Sequence, residues 1–243
     1  SRRLAYRSTL RLRDPANSGH LRPSQLLMLN LTDKRVSRDV GSRYDAAKGN
    51  RRGAGVRKGS RMNYSEIKYC DIANGEGVRT TLFVSGCRRH CPGCFNEEAQ
   101  DFAAGEPFTP EVEERILESL EPDYIDGLTL LGGEPMEPEN QEGLVGFVER
   151  VKERFPEKGI WCFTGYVLED LLEDGRKRTD ATERLLACID ILVDGPFLED
   201  QHDITLRFMG SSNQRIIDIP ATREAGEIRL WQDDPSFATH TME

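Results

Sequence analysis

The sequence predicts an α/β fold, a partial and open barrel built on a mainly parallel sheet. Three observations carry that reading. Short β-rich runs alternate with segments of helical periodicity, the runs are apolar on both faces, and glycine-bearing loops follow their C-terminal ends. Strands buried on both sides belong to parallel sheets covered by helices, and such proteins gather their sites at strand C-termini. Only five or six strands are legible, too few to close an eight-stranded barrel.

In chain order, residues 80–84 (Thr-Thr-Leu-Phe-Val) form the first strand, ending at Gly86 and a loop holding three cysteines. Residues 110–120 predict a helix, because Val112, Ile116, Leu117 and Leu120 recur at helical spacing behind an acidic first turn. Residues 127–131 are strand-like and close on Gly132-Gly133. A second helix spans 140–154, with Leu144, Phe147, Val148 and Val151 on one face. Residues 160–163 give another strand, ending at Thr164-Gly165; 168–172 and 182–187 read as helix pieces. A strand over 189–193 precedes Asp194-Gly195-Pro196, and 215–219 is the last.

Charge divides the chain. Of its 243 residues, the first 61 carry 16 Lys/Arg against 4 Asp/Glu, or +12, which leaves 17 against 38, or −21, for residues 62–243. The basic part has scattered serines, Arg-Gly and Lys-Gly steps and one short apolar run, Leu26-Leu27-Met28-Leu29. Such a composition buries too little apolar surface to offset chain entropy. Residues 1–61 are therefore expected to be a disordered basic leader, or sequence upstream of a protein that starts at Met62, and 62–243 a single domain. A basic arm for nucleic acid is the alternative, but no aromatic pattern accompanies the charge.

The acidic domain argues against direct nucleic-acid binding, and such a surface keeps a chain soluble; a salt-rich cytoplasm is a compatible setting. Mean hydropathy is −0.58, and no apolar run reaches the length of a membrane span or a signal-peptide core. Six cysteines without an export signal point to a reducing cytoplasm, where thiols serve metals or catalysis.

Three of those cysteines, Cys87, Cys91 and Cys94, fall within Cys-Arg-Arg-His-Cys-Pro-Gly-Cys. Thiolates so close together do not form ordinary disulfides, but they can wrap one face of a metal centre. A 4Fe–4S cluster normally takes four cysteines; three at this spacing predict a cluster with one open iron, and an open iron implies chemistry. The alternative is structural zinc completed by His90, Cys162, Cys188 or His202, although zinc sites favour Cys-x2-Cys knuckles. Phe95, directly after the last cysteine, suits an aromatic wall beside a cofactor or a place in the core. Gly132-Gly133 by itself reads as a turn, and Glu134 as a surface carboxylate.

Taken together, Cys-x3-Cys-x2-Cys and Gly132-Gly133-Glu134-Pro135 resemble the two motifs of the radical S-adenosylmethionine superfamily. The chain departs from that pattern in one place: Gly93 stands where an aromatic residue often precedes the last cysteine, and Phe95 follows it. Five further segments are similar to glycyl-radical-enzyme activases: Cys70-Asp71-Ile72, the 74–80 run Asn-Gly-Glu-Gly-Val-Arg-Thr, Thr164-Gly165-Tyr166, the 193–197 run Val-Asp-Gly-Pro-Phe, and the 210–216 run Gly-Ser-Ser-Asn-Gln-Arg-Ile. They resemble most the subfamily that serves anaerobic (class III) ribonucleoside-triphosphate reductase, from about Met62 to Ile219.

The resemblance implies a barrel of the radical S-adenosylmethionine type and two cofactors, a 4Fe–4S cluster on Cys87, Cys91 and Cys94 and S-adenosylmethionine at the open iron. Gly93, Cys94, Phe95, Gly132, Gly133, Glu134 and Pro135 would contact S-adenosylmethionine, the Gly-Gly-Glu-Pro stretch at its methionine ammonium. Reductive cleavage would give a 5′-deoxyadenosyl radical that takes a glycine Cα hydrogen from the reductase's glycyl-radical subunit. A low-potential donor such as flavodoxin or ferredoxin would supply the electron. Arg79, Asp194 and 213–215 are candidates for ribose, carboxylate or partner-loop contacts, against readings as caps, turns or ion pairs. Cys70, Cys162, Cys188, Trp161 and Tyr166 read as core or near-core residues. Rival functions are activation of another glycyl-radical enzyme, such as pyruvate formate-lyase, and a non-enzymatic zinc or electron-transfer module. The Ser-Ser-Asn-Gln-Arg segment and the lack of an inserted ferredoxin-type cysteine cluster favour the reductase.

Overall fold

A computed structural model describes residues 62–172 and 177–233. The expected leader, 1–61, lies outside the described residues. Seven strands form one sheet that does not close, in the order β3-β1-β2-β4-β5-β6-β7. They are β1 (Asn63–Asp71), β2 (Arg79–Val84), β3 (Glu106–Pro107), β4 (Gly127–Gly132), β5 (Gly159–Phe163), β6 (Ile191–Asp194) and β7 (Arg215–Asp218). The helices are α1 (Pro110–Ser119), α2 (Pro138–Arg154), α3 (Leu168–Leu172), α4 (Asp180–Cys188) and α5 (Ile219–Ala225).

Only the centre of the sheet is parallel, through β2-β4-β5-β6; β1, β3 and β7 all join antiparallel. The expected count of five or six strands was therefore low, and the parallel character holds for the central four alone. β1 escaped notice because Ser65, Glu66, Lys68, Tyr69 and Cys70 are exposed along it, so it lacks the two-sided apolar run of a central strand. β3 is two residues long and carries no pattern at all.

Side-chain alternation along the strands sorts the molecule into two faces. Leu82 and Val84, Leu128 and Leu130, Ile160 and Cys162, Leu192 and Ile217 point into the main core. There they meet Val112, Ile116 and Leu117 of α1, Leu144, Phe147, Val148 and Val151 of α2, and Leu185 and Leu186 of α4. The helical stripes read from the sequence are thus the packed ones. Pro138 at the first turn of α2 moves that helix start two residues upstream of the expected Asn140, because proline's fixed φ suits this position. A capping box between Thr179 and Thr182 likewise starts α4 at Asp180.

The opposite face holds Trp161, Ile191 and Val193 under Phe163, Phe208, Met209, Ile216 and Trp231. Trp161 stands edge-on to Phe208 at 5.1 Å and to Trp231 at 5.4 Å between ring centroids. Chain returning after β7 covers this end of the sheet, through the bridge from Ile217 to Leu230. Among the described residues no helix is long and apolar enough to cross a membrane.

Candidate metal centre

β2 delivers the cysteine loop to the C-terminal edge of the parallel strands. Backbone bonds pin the loop at its base: Gly86 N–H donates to Ala99 O at 2.8 Å and Cys87 N–H to Gln100 O at 2.9 Å. A turn closed by Cys94 N–H on Cys91 O, 3.2 Å, carries Pro92 and Gly93, and Gly93 faces Phe197 and Glu199. The three thiols are free and half-buried. Burial pushes the Cys87 thiol up to about 11, against a weak bond from Arg89 N–H to its sulfur. A bound metal reverses that balance, since a coordinating thiol is deprotonated outright.

Among the described residues no three His, Cys, Asp or Glu side chains converge as a preset ligand group. The loop cysteines line one short loop without yet facing one point. The donor set nonetheless fits an iron–sulfur cluster: three soft thiols, with no carboxylate or free imidazole among them. His90 turns away to Gln100, Nδ1 to Oε1 2.7 Å. Cys162 is sealed in the main core, Cys188 packs against it, and His202 lies edge-on to Phe197 at 5.6 Å. Of the groups that could complete a zinc site, His90 is thus bonded to Gln100, and Cys162 and Cys188 belong to the core. Phe95 is 97% exposed and lies outside the core.

The Gly132–Pro135 stretch is bonded directly to the base of the cysteine loop. Gly133 N–H donates to Val84 O at 2.7 Å and Glu134 N–H to Gly86 O at 3.0 Å. Packing accounts for both glycines. Gly132 has φ +113°, and a Cβ there would meet Val84 N and O at 2.6 Å; a Cβ on Gly133 would meet Ala99 O at 2.6 Å and Gly86 O at 2.7 Å. Only bare backbone lets β4 close this tightly on β2. Pro135 is buried beside them.

Glu134 is a buried strut rather than a surface carboxylate. It accepts from Thr164 Oγ1 at 2.7 Å, Gly165 N–H at 2.8 Å and Met136 N–H at 2.9 Å. Burial raises its pKa despite those donors. The two short motifs Gly-Gly-Glu-Pro and Thr-Gly-Tyr are thus joined by one carboxylate. Asn140 on α2 adds a second tie, its Nδ2 donating to Ser85 O, Gly86 O and Glu134 O at 2.9–3.3 Å.

The weaker candidates take structural places. Asp194 is fully buried and paired with Arg215, which also bridges Glu169; burial raises Asp194 although the guanidinium opposes it. Gln214 accepts from the backbone of Gly210 and Ser211 and donates to Gly195 O, and Asn213 donates to Pro196 O, so this segment fastens the loop after β6.

Arg79 lies at the other end of the sheet, five residues before Val84 and so about 17 Å from the cysteine loop's base. Its guanidinium donates to Thr129 Oγ1 and to Glu76, Leu128 and Gly159 carbonyls, and burial lowers its pKa to about 10. Replacing it with Met is expected to cost about 2–3 kcal/mol in urea unfolding while leaving iron loading unchanged. Loss of iron at full stability would return Arg79 to the site.

Sequence reading missed Arg88 and Glu137, and the near-core place read for Tyr166 omits its bond to Glu137. Glu137 is buried and accepts from Arg88, Tyr166 and Lys177. Its partners lie 29–49 residues away, and no local pattern signals such a meeting.

Comparison with known proteins gives a family that spans the cysteine loop and the Gly132–Pro135 stretch. A family described as "4Fe-4S single cluster domain" matches residues 73–217. The chain is 45% identical over 157 residues to the "Anaerobic ribonucleoside-triphosphate reductase-activating protein" of Pasteurella multocida, covering 64% of this chain and 96% of that one. The protein of the same name from Escherichia coli is 40% identical over 155 residues, 63% and 96%. That of enterobacteria phage T4 is 39% identical over 155 residues, 64% and 93%.

Proposed function

The chain belongs to the 4Fe-4S single cluster domain family, alongside the anaerobic ribonucleoside-triphosphate reductase-activating proteins it resembles, and from that premise we propose that it activates such a reductase. The observation that carries the proposal is the union of three free thiols on one loop with the Gly132–Pro135 stretch, bonded backbone to backbone at the C-terminal edge of the parallel strands. Those strands and helices are the open barrel of the radical S-adenosylmethionine type. Residues 62–243 carry the activity, and the basic 1–61 stands apart from residues 73–217, which the family matches.

Cys87, Cys91 and Cys94 hold a 4Fe–4S cluster with one iron open to S-adenosylmethionine. Bound there, the cluster would supply the electron for reductive cleavage of S-adenosylmethionine, and the radical chemistry this starts would be directed at a glycine Cα hydrogen of the reductase's glycyl-radical subunit. The chain's own residues bind and orient. The Gly132–Pro135 stretch would meet the methionine ammonium of S-adenosylmethionine, and Gly93, Cys94 and Phe95 would contact it from the cysteine loop. Glu134 acts by holding the β4 and β5 loops together, since its carboxylate bonds within the chain. A low-potential donor such as flavodoxin or ferredoxin reduces the cluster, in the cytoplasm.

Anaerobic reconstitution tests the proposal. About four irons per chain, S-adenosylmethionine cleavage after reduction, and a glycyl radical on the reductase by EPR are expected. One zinc with no cleavage overturns it. Activation of pyruvate formate-lyase with none of the reductase overturns the choice of partner.

A further inference from the structure

Beside the cysteine loop lies a network of four charges that the function above does not use. At its centre is Glu137, fully buried and flanking α2 at its N-terminal end. Its side chain makes no bond to that helix. It turns instead to Arg88, the residue after Cys87, and accepts from the Arg88 backbone N–H at 3.2 Å and from Nη1 at 2.9 Å. Lys177 Nζ donates to the same carboxylate at 2.6 Å and Tyr166 OH at 2.9 Å.

Arg88 is held on two further sides. Its guanidinium donates to both oxygens of Glu139, at 2.9 and 2.6 Å, and lies 4.2 Å from the Phe102 ring centroid. Tyr166 in turn lies beneath Arg89 and Lys177, 4.8 and 5.2 Å from its ring. Two carboxylates, Glu137 and Glu139, therefore face two cations, Arg88 and Lys177, and the set is formally neutral. A buried carboxylate bound by four donors is a built feature, since leaving it short of partners would be costly.

We infer that Glu137, Arg88 and Lys177 are positioning residues that fix the conformation of the cysteine loop at Cys87 and set the charge felt by the centre it binds. The inference rests on the iron–sulfur reading of that loop. Cluster potentials follow net charge, hydrogen bonding and solvent exposure, and this network places a balanced charge set one residue from a ligand. Removing the carboxylate leaves two cations against Glu139 and favours the reduced, more negative centre. Removing Lys177 leaves two carboxylates against Arg88 and disfavours it.

The test uses the full chain, reconstituted anaerobically without S-adenosylmethionine, and reads the cluster potential by EPR-monitored redox titration. Glu137→Gln is expected to raise the reduced-to-oxidised ratio at fixed poise about tenfold, a positive shift of 59 mV for one electron. Lys177→Met is expected to lower it by a similar factor. Shifts of opposite sign support the inference, because a merely structural role does not reverse sign with the charge removed. Unshifted or same-signed potentials overturn it. Should Glu137→Gln fail to fold, Lys177→Met decides alone, since Lys177 is partly exposed and its loss leaves Arg88 and Tyr166 on the carboxylate. A wild-type chain that binds zinc and no cluster removes the iron–sulfur reading; a wild-type cluster with unmoved variants overturns this inference alone.

Discussion

Replacing Cys87, Cys91 or Cys94 with Ala is expected to abolish S-adenosylmethionine cleavage, while Cys188→Ala retains it. On the proposed function each loop thiol is one of three protein ligands, and a cluster left with two would not be held. Cys188, by contrast, lies at the end of α4 packed against the main core, outside the cysteine loop. Cys188→Ala should cost about 1 kcal/mol of stability, the usual scale for trimming a packed side chain. Iron content and 5′-deoxyadenosine release, measured on each variant after reconstitution, check the prediction. Four irons and full cleavage in Cys91→Ala would remove that residue from the ligand set. Loss of iron in Cys188→Ala, with the fold intact by circular dichroism, would add a fourth ligand.

Glu134→Ala is expected to destabilise the chain by about 3 kcal/mol and to loosen the cysteine loop with it. Two buried donors, Thr164 Oγ1 and Met136 N–H, and the part-buried Gly165 N–H lose their acceptor together, and each unsatisfied buried group costs about 1–3 kcal/mol. The variant also relieves one buried charge, which keeps the total below the simple sum. Its pH dependence has a definite sign. Burial holds the folded Glu134 above its ordinary 4.5, so the folded chain binds this proton more tightly than the unfolded one. That stability is fully present below 4.5 and is lost as pH rises through the folded value. The wild type should therefore gain stability between neutral pH and 4.5 by a margin that Glu134→Ala lacks. Urea midpoints of both proteins across that range measure it, and parallel curves would exclude Glu134 as the titrating group.

The sequence was most legible where chemistry compresses into short spacing. The spacing of Cys87, Cys91 and Cys94 alone raises the expectation of a metal centre, and the runs at 127–131 and 160–163 gave β4 and β5 within a residue or two. Helical stripes such as Leu144, Phe147, Val148 and Val151 foretold the packed face, because one face of a helix must leave water. β1 stayed hidden because an exposed flanking strand needs no two-sided apolar run.

Charged residues were the least legible. Arg79, Asp194 and Arg215 stood open between ligand or partner contacts and structural roles, and each is satisfied within the chain, at the far end of the sheet or in a buried ion pair. Arg88 and Glu137 read as nothing and meet at the base of the cysteine loop. A charge carries no periodic signature, so its role depends on which distant group folding brings within 3 Å. The sequence by itself determined the donor atoms, the strand–helix alternation and the glycines that let β4 close on β2. Only the tertiary structure decided which carboxylates became struts, which cations balance them, and how the Gly132–Pro135 stretch binds to the cysteine loop. Those are contacts between segments remote along the chain, and the energy of burying a charge is set by its partners rather than by its neighbours in sequence.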